Sequence, residues 1–461
     1  MERRDNSMPI KNKKFKLVVS ETFKQMKKFH VPGTAIGIIH KDKEYCTGLG
    51  ITDIENPLPV TENTLFQIGS ISKTFLATAV MRLVEKKKIN LDIPIIKYLP
   101  DLKLSNKETT KKVTMRHLLT HTGGWFGDYF NDFGKNDDAL NKMVIKMSEL
   151  PQCSRFGSIF SYNNSGFYLA GRVLEIVSNK PYETAIKDLV LDPLNMKMSF
   201  FFTDDVMTHR FVVGHNVIKN KAKVAKPWAM GRSIAPAGGV ISTVKDLFKY
   251  ARFYMGNGKT PNGKKFLSKT SMTLLKKPLL NASSEKKIAL SWFIKEFNGK
   301  KGISHTGATT GQTASLQIIP SEKFAAIILT NSSYGMPLYS EITNFAIKIF
   351  LKIDIPNKKL IKISRKEILT YAGRYTTPTM LLDVKPQNNK LIIKLTDKGC
   401  FPAPKNKPTH QPPPLTAAFY DKDKIIALNA PYKDYITEFL RDKNGNITWL
   451  RLGSRAHTRK K

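Results

Sequence analysis

The stretch FQIGSISKTFLATAVMRLVE, residues 66–85, decides the fold of this 461-residue chain. Ser70 follows a glycine and opens a helix, which the spacing of the apolar residues predicts to reach about Lys86. The Ser70 hydroxyl and N–H therefore lie at the positive end of the helix dipole, which favours an alkoxide or an oxyanion. Lys73, three residues further, lies on the same helical face and within reach of Ser70.

Ser70 and Lys73 together fit the requirements of nucleophilic catalysis. A buried lysine has a lowered pKa and can help to remove the serine proton. The alternative is that Ser70 only caps the helix and that Lys73 is a surface charge, and the pair alone does not decide between the two. The same Ser-x-x-Lys spacing also occurs at 242–245, 283–286 and 284–287.

A second motif, Tyr162-Asn163-Asn164, precedes a predicted helix over 165–178 and is expected to occupy a loop rather than a core face. A phenol with an ordinary pKa of about 10 needs cationic neighbours to act as a base, and Lys73 and His305 are the candidates. Asn164 can bind Lys73 and a substrate amide together. The alternative is a hydrogen-bonded loop tyrosine beside a turn asparagine, and Tyr-x-Asn also occurs at 129–131.

A third motif, His305-Thr306-Gly307, lies within a predicted strand. A glycine there lets a substrate backbone approach the strand edge. The N–H of Ala308 is predicted to pair with that of Ser70 as an oxyanion hole. His-Thr-Gly also occurs at 121–123, where it ends a predicted helix, so we assign that copy a structural role as a cap and turn.

The order of the predicted elements indicates an α+β fold. Strands come at both ends of residues 15–355 and helices lie between them, which predicts one antiparallel sheet built from distant segments. The inserted helical region is expected to cover one face, and the helices 15–29 and 340–351 the other. A ligand cleft would then lie between the sheet and the helical region.

The character of the sequence changes after a predicted linker over 356–370. From residue 371 to 461, short apolar alternations separated by turns predict a small antiparallel β-barrel, with a strong hairpin turn at Asn444-Gly445 and a proline-rich loop over 402–414. Residues 1–14 are expected to form a flexible basic N-terminus.

Five blocks, taken in order, resemble the superfamily of serine β-lactamases and penicillin-binding proteins. They are FQIGSISKTFLATAVMRLVE (66–85), VTMRHLLTHTGG (113–124), FSYNNSGFYLAGRVLE (160–175), APAGGVISTVKDLFKYARF (235–253) and HTGATTGQTASLQIIP (305–320). The resemblance covers about residues 15–350 and is strongest to class C β-lactamases, D-alanyl-D-alanine carboxypeptidases of the same type, and esterases with this fold. It implies that Ser70 is the acylated nucleophile and Lys73 its partner. Tyr162 and Asn164 would match the second motif, and His305 and Gly307 the third.

Two departures narrow the implied activity. Class C β-lactamases usually carry lysine where this chain has His305, and histidine there is more like the peptidases and esterases. The chain also has no counterpart of the class A Ser-Asp-Asn motif or of its separate deacylating glutamate.

The C-terminal segment from YAGRY (371–375) resembles the lipocalin-like appendage of some superfamily members.

These observations predict a serine hydrolase for small amides, peptides or esters. Lys73 and Tyr162 are expected to take the Ser70 proton, and Tyr162 to pass it to the leaving group and then to activate water. His305 and Thr306 are expected to bind an anionic or polar part of the substrate. Because nucleophile and base are both side chains, neither a metal nor an organic cofactor is expected.

Composition adds further expectations. The chain carries 75 Lys plus Arg against 37 Asp plus Glu, a formal charge of +38, but the basic residues are scattered and no nucleic-acid-binding motif is found. We therefore expect at most nonspecific polyanion binding through the basic surface. Without an apolar leader or a spanning segment, a cytoplasmic location is expected. The three cysteines are expected to be buried, reduced thiols, namely Cys46, Cys153 and Cys400.

Two other functions are left open by the sequence. One is a catalytically silent scaffold or ligand sensor with this fold, although all three motifs are intact. The other is a nucleic-acid-associated protein, for which charge is the sole argument. Oligomerisation is also left open.

Overall fold

The computed structural model describes residues 11–399, 401, 411–429 and 432–460. The part before residue 356 contains twelve strands, which are β1 (Gly33–His40), β2 (Lys43–Gly50), β3 (Phe66–Gln67), β4 (His215–Ile218), β5 (Lys221–Val224), β6 (Ile241–Ser242), β7 (Leu280–Asn281), β8 (Lys287–Ile288), β9 (Phe293–Phe297), β10 (Lys300–Thr309), β11 (Gln312–Ile319) and β12 (Phe324–Thr330). Eight of them form one antiparallel sheet in the order β2-β1-β12-β11-β10-β9-β8-β7. Strand β1 thus pairs with β12 as well as with β2, and the sheet joins distant parts of the chain.

Both faces of this sheet are buried, as strand β12 shows. Ala325, Ile327 and Leu329 pack into one apolar core, and the alternate residues Phe324, Ala326 and Ile328 pack into a second. Because successive side chains of a strand point to opposite faces, a strand covered on both sides reads as a continuous apolar run.

Thirteen α-helices flank the sheet and the barrel that follows it. They are α1 (Lys13–Phe29), α2 (Ser72–Glu85), α3 (Lys107–Lys112), α4 (Met115–Leu119), α5 (Ala139–Lys146), α6 (Ser165–Ser178), α7 (Tyr182–Ile186), α8 (Thr203–Val206), α9 (Ala235–Gly238), α10 (Val244–Met255), α11 (Lys269–Leu275), α12 (Gly335–Leu351) and α13 (Arg365–Thr370). Helices α1 and α12 share the smaller core, whereas α2, α6 and α10 share the larger one. The two-sided arrangement expected from the sequence is confirmed.

The remaining strands close into an eight-stranded antiparallel barrel. They are β13 (Gly373–Thr376), β14 (Met380–Gln387), β15 (Lys390–Asp397), β16 (Leu415–Asp421), β17 (Lys424–Ala427), β18 (Ile436–Arg441), β19 (Ile447–Leu452) and β20 (Arg455–Arg459). Closure occurs where Tyr375 of β13 pairs with Arg459 of β20. The interior is filled by apolar side chains, among them Tyr371 and Phe419, and Ile368 of α13 packs into the same core.

The predicted fold class is therefore confirmed, with corrections in detail. Strands β8 and β9 are separate, because Ser291 adopts a left-handed conformation between them (φ 68°). Strands β13 and β20 were not predicted, since both are short and polar.

Cys46 and Cys153 are free but only half-buried. Cys400, residues 1–10 and most of the proline-rich segment lie outside the described residues. None of the helices in the described ranges has both the length and the apolar character needed to cross a membrane.

Candidate active site

Ser70 and Lys73 meet at the start of α2. A single 3₁₀ turn, Gly69–Ile71, leads into the helix and places Ser70 at its beginning. The Lys73 Nζ atom donates hydrogen bonds to Ser70 Oγ at 2.9 Å and to the Ala237 carbonyl oxygen at 2.6 Å. Lys73 has no solvent exposure, and its burial lowers its pKa well below the ordinary value, with a further contribution from the positive charge of Arg455. The pair thus has the spacing of a nucleophile and its base, and the lowered pKa increases the share of Lys73 in the unprotonated form.

The three competing Ser-x-x-Lys copies lack this arrangement. The Ser242 hydroxyl is buried against Ser199 at 2.8 Å, and Lys245 lies on the surface beside Glu62. The Ser284 hydroxyl bonds to Tyr420 at 2.7 Å. The Ser283 hydroxyl accepts backbone N–H groups within its own turn.

Tyr162 lies next to this pair and is buried, although the sequence favoured an accessible loop position. Its ring centroid is 5.1 Å from the Lys73 nitrogen and 4.7 Å from the guanidinium carbon of Arg455. Burial raises the pKa of the phenol, and the hydrogen bond to Ser70 and the Arg455 charge offset only part of that rise. The raised pKa favours the protonated phenol, and the role of Tyr162 in taking the serine proton stays a prediction.

The backbone around Gly307 brings two N–H groups together. Strand β10 pairs with β9 only as far as Ser304, so the segment that follows has no strand partner on that side among the described residues. A Cβ atom on Gly307 would collide with the Ile68 carbonyl and lie 2.8 Å from the Ser70 nitrogen. A Cβ atom on Gly69 would lie 2.7 Å from the Ala308 nitrogen. The backbone segments that carry the Ser70 and Ala308 nitrogens thus lie against each other, and their pairing as an oxyanion hole stays a prediction.

His305 differs from its predicted role as a titrating cation. Its ring is buried, its Nδ1 lies 2.7 Å from the Thr306 carbonyl oxygen, and its Nε2 has no hydrogen-bond partner among the described residues. Burial lowers the pKa of His305 to about 3, so the ring is neutral at physiological pH. Since a carbonyl oxygen only accepts, Nδ1 carries the proton and Nε2 presents a lone pair.

Thr306 does not accompany His305 into the site. Its side chain is exposed on the opposite face of β10, beside Tyr339 of α12. The reason is the alternation of side chains along a strand, which turns His305 and Gly307 towards Ser70 and turns Thr306 away.

Asn164 binds a carboxylate rather than Lys73. Its side-chain nitrogen donates to Asp128 Oδ1 at 2.8 Å. The same carboxylate receives two hydrogen bonds of 2.9 Å from Arg455, which belongs to the barrel. Sequence reasoning missed both Asp128 and Arg455, because neither lies in a recognisable motif and they are 327 residues apart.

His121, for which the sequence predicts a structural role, lies directly against Tyr162. It adopts the left-handed conformation expected of a turn (φ 57°), and the Asn163 N–H donates to its Nδ1 at 2.9 Å. The imidazole stacks on the Tyr162 ring, and its Nε2 is buried without a partner among the described residues. A strained backbone at such a position is typical of functional sites. The duplicated His-Thr-Gly sequence was the signal that could have led to it.

The barrel contacts the site directly through its last hairpin. The Tyr162 N–H donates to the Ser454 carbonyl oxygen at 2.8 Å, and the Ala456 N–H donates to Ser161 Oγ at 3.1 Å. The second motif is thus hydrogen-bonded to the turn between β19 and β20.

Comparisons with known proteins agree with this geometry. The family model described as Beta-lactamase matches residues 19–346. Penicillin-binding protein 4 of Amycolatopsis lactamdurans is 27% identical over 320 residues, which cover 68% of this chain and 84% of that protein. The octameric penicillin-binding protein homologue from Pyrococcus abyssi has a solved structure with 27% identity and a TM-score of 0.67, covering 93% of this chain and 97% of that one.

A class C β-lactamase from Rhodobacter sphaeroides shares the fold of the first part. Its structure matches with a TM-score of 0.61 and 20% identity, and the match covers 72% of this chain and 99% of that one. With a family model that spans most of the chain and the sheet, helices and barrel described above, the chain belongs to the β-lactamase family of serine hydrolases, which includes the penicillin-binding proteins.

Proposed function

We propose that this protein is a serine hydrolase that forms an acyl-enzyme on Ser70 and cleaves amide or ester bonds of small substrates. The observation that carries the proposal is the 2.9 Å hydrogen bond between Ser70 Oγ and the nitrogen of Lys73, whose burial lowers its pKa. A lysine whose pKa is lowered in this way accepts the serine proton as the hydroxyl attacks a carbonyl carbon.

The proton then moves through the same groups. The bond between Ser70 Oγ and the carbonyl carbon forms, and the N–H groups of Ser70 and Ala308 stabilise the oxyanion. The protonated Tyr162, hydrogen-bonded to Ser70, donates its proton to the departing nitrogen or oxygen and recovers one from Lys73. In the deacylation step, water attacks the carbonyl carbon of the ester between the acyl group and Ser70. The proton of that water passes to Tyr162 and Lys73, and Ser70 regains its hydroxyl proton as the acyl group leaves.

The third motif favours a substrate that offers a hydrogen-bond donor. His305 Nε2 is a buried lone pair without a partner among the described residues, and the neutral ring supplies no charge to attract a carboxylate. An amide N–H or an amino group satisfies such an acceptor. We therefore propose D-amino-acid peptides or amides and simple esters as substrates, with β-lactams as weaker ones.

Intact-protein mass spectrometry after incubation with a fluorophosphonate tests the proposal. One adduct is expected per chain, mapped to Ser70 by peptide analysis and lost in Ser70→Ala. Ser284→Ala is the matched control, because that serine has a lysine at the same spacing and should not affect labelling. An adduct on Ser242, Ser283 or Ser284, or no adduct at all under conditions in which the chain is folded, would contradict the proposal.

A further inference from the structure

We propose that Arg455, on the last hairpin of the C-terminal barrel, is a positioning residue of the active site. It holds Asp128 and Asn164 in place and supplies the fixed positive charge beside Lys73 and Tyr162. This inference rests on the proposed acylation of Ser70 and adds that the barrel is part of the reacting site.

The contacts of Arg455 are specific. Its Nε and Nη2 atoms each donate to one oxygen of Asp128 at 2.9 Å, and Asn164 donates to the same carboxylate at 2.8 Å. Such a two-pronged ion pair fixes the orientation as well as the distance of its partners. The guanidinium carbon lies 4.7 Å from the centroid of the Tyr162 ring, which is close enough for a cation–π interaction.

The turn between β19 and β20 positions Arg455 next to Asp128 and Tyr162. Gly453 and Ser454 both adopt left-handed conformations, with φ values of 60° and 65°, and Arg455 Nη1 donates back to the Gly453 carbonyl at 2.8 Å. The Ser454 carbonyl accepts the Tyr162 N–H. Positive φ at both central residues is the geometry of a tight two-residue hairpin turn, and this turn is hydrogen-bonded to the second motif.

The comparison with the class C β-lactamase bears on the contact between Arg455 and the active site. That structure is matched almost completely by 72% of this chain, so the fold is complete there without a barrel. Here an arginine from beyond residue 370 enters the site. At the third motif, in contrast, His305 is neutral, so Arg455 is the permanent cation next to Tyr162.

The charged and titratable groups around Lys73 determine how a substitution of Arg455 should change the Lys73 pKa. Arg455 and Asp128 act on it with opposite signs, and Tyr162, His121 and His305 complete its surroundings. Arg455 lowers the pKa of Lys73 beyond what burial does, whereas Asp128 raises it. Tyr435 faces Arg455, and Lys286 faces His305. The pKa of Lys73 thus depends on the balance between Arg455 and Asp128.

The test measures the rate of Ser70 acylation by a fluorophosphonate from pH 5 to 10, in the full chain. Arg455→Met should move the rising limb of the profile to higher pH, because Lys73 then keeps its proton. If the Lys73 pKa rises by about one, the rate at any pH below the limb falls about tenfold. Asp128→Asn should move the limb to lower pH, because Arg455 is no longer neutralised. Arg455→Lys keeps the charge, so the limb should stay while the plateau falls.

Arg451→Met is the matched control. Arg451 lies on the same hairpin, pairs with Glu438 and donates to the Ala282 carbonyl at 3.0 Å, so it also crosses to the catalytic part of the chain. Its loss should lower the unfolding temperature without moving the limb. The inference would be overturned if the rising limb of the pH–rate profile stayed in place in Arg455→Met and Asp128→Asn, or moved in the same direction in both. Labelling of Ser70 in the wild type would uphold the proposed function even then. A wild type that is never labelled would instead contradict the proposed function.

Discussion

The imidazole of His121 lies nearly flat on the phenol of Tyr162, with ring centroids 4.3 Å apart and an angle of 22° between the planes. Arg455 and Lys73 also contact the Tyr162 ring. Tyr162 is therefore held by packing as well as by its backbone, and the hydroxyl is directed at Ser70. His121 has no place in the proton transfers and is expected to act through the orientation of Tyr162.

Replacing His121 tests this positioning role. We expect His121→Ala to lower the acylation rate on the order of a hundredfold, because small displacements of a catalytic group have effects of this size. His121→Phe retains a stacking ring and should lose much less. Both variants keep the same left-handed backbone strain, so the difference between them measures the stacking contact. Equal rates in the two variants, with equal unfolding temperatures, would contradict the role.

The glycine of the third motif allows a second prediction. Gly307→Ala should abolish acylation, because its Cβ would collide with the Ile68 carbonyl and push Ser70 away from Ala308. Gly299→Ala is the control, since nothing lies within 4 Å of the added atom and only its left-handed backbone (φ 76°) opposes the change. The control should lose about 1 kcal/mol of stability and keep its activity. Acylation rates and chemical denaturation of both variants check this.

The pH dependence of acylation follows from the buried groups. The rate is expected to rise with pH as Lys73 loses its proton, and this limb should lie well below the ordinary lysine pKa because burial lowers it. His305, with a pKa of about 3, stays neutral over this range. His305→Gln should therefore leave the limb where it is, and stopped-flow or quenched labelling at each pH checks this. A limb that lies near the ordinary histidine pKa and vanishes in His305→Gln would show that the histidine titrates after all.

Much of this site could be predicted from the sequence, for physical reasons that differ by residue. Ser70 and Lys73 are one helical turn apart, so local geometry alone brings them together. Gly307 was expected to let a substrate backbone approach, whereas the structure places the chain's own Ile68–Ser70 backbone against it, a closeness that only a glycine allows. The neutral state of His305 could not be predicted, because it depends on burial by residues far away in the sequence.

The contribution of the barrel could not be predicted at all. Arg455 and Asp128 are brought together by the docking of the last hairpin, and no periodic pattern records such a contact. The strand that carries Arg455 reads RAHTR, which has little apolar character. Its pairing within a closed barrel, and not its own sequence pattern, makes it a strand.

The segment that joins the two parts of the chain offers a fourth prediction. Residues 356–362 are exposed and contain no helix or strand, so trypsin should cut after Lys359 or Lys362. The two fragments should nevertheless remain together in size-exclusion chromatography, because hydrogen bonds such as those from Tyr162 to Ser454 and from Arg451 to Ala282 join them. Denaturing electrophoresis of the eluted peak checks that the chain was cut. Separate elution of the fragments would show that the linker, and not the interface, holds the barrel in place.

The last prediction separates a peptidase or esterase from a β-lactamase. A β-lactam carries a carboxylate. The third motif contains a neutral imidazole, that of His305, whose Nε2 atom is a hydrogen-bond acceptor. Two acceptors facing each other repel, and the guanidinium group of Arg455, which lies beside Tyr162, is already paired with Asp128. Short-chain p-nitrophenyl esters and D-amino-acid amides should therefore turn over faster than cephalosporins, measured as kcat/KM. His305→Lys places an ammonium group where the carboxylate would lie and should shift that ratio towards β-lactams, whereas Thr306→Ser, on the opposite face of the strand, should leave it unchanged. Wild-type protein that hydrolyses cephalosporins better than every ester and amide tested would show that the neutral histidine does not decide the substrate class.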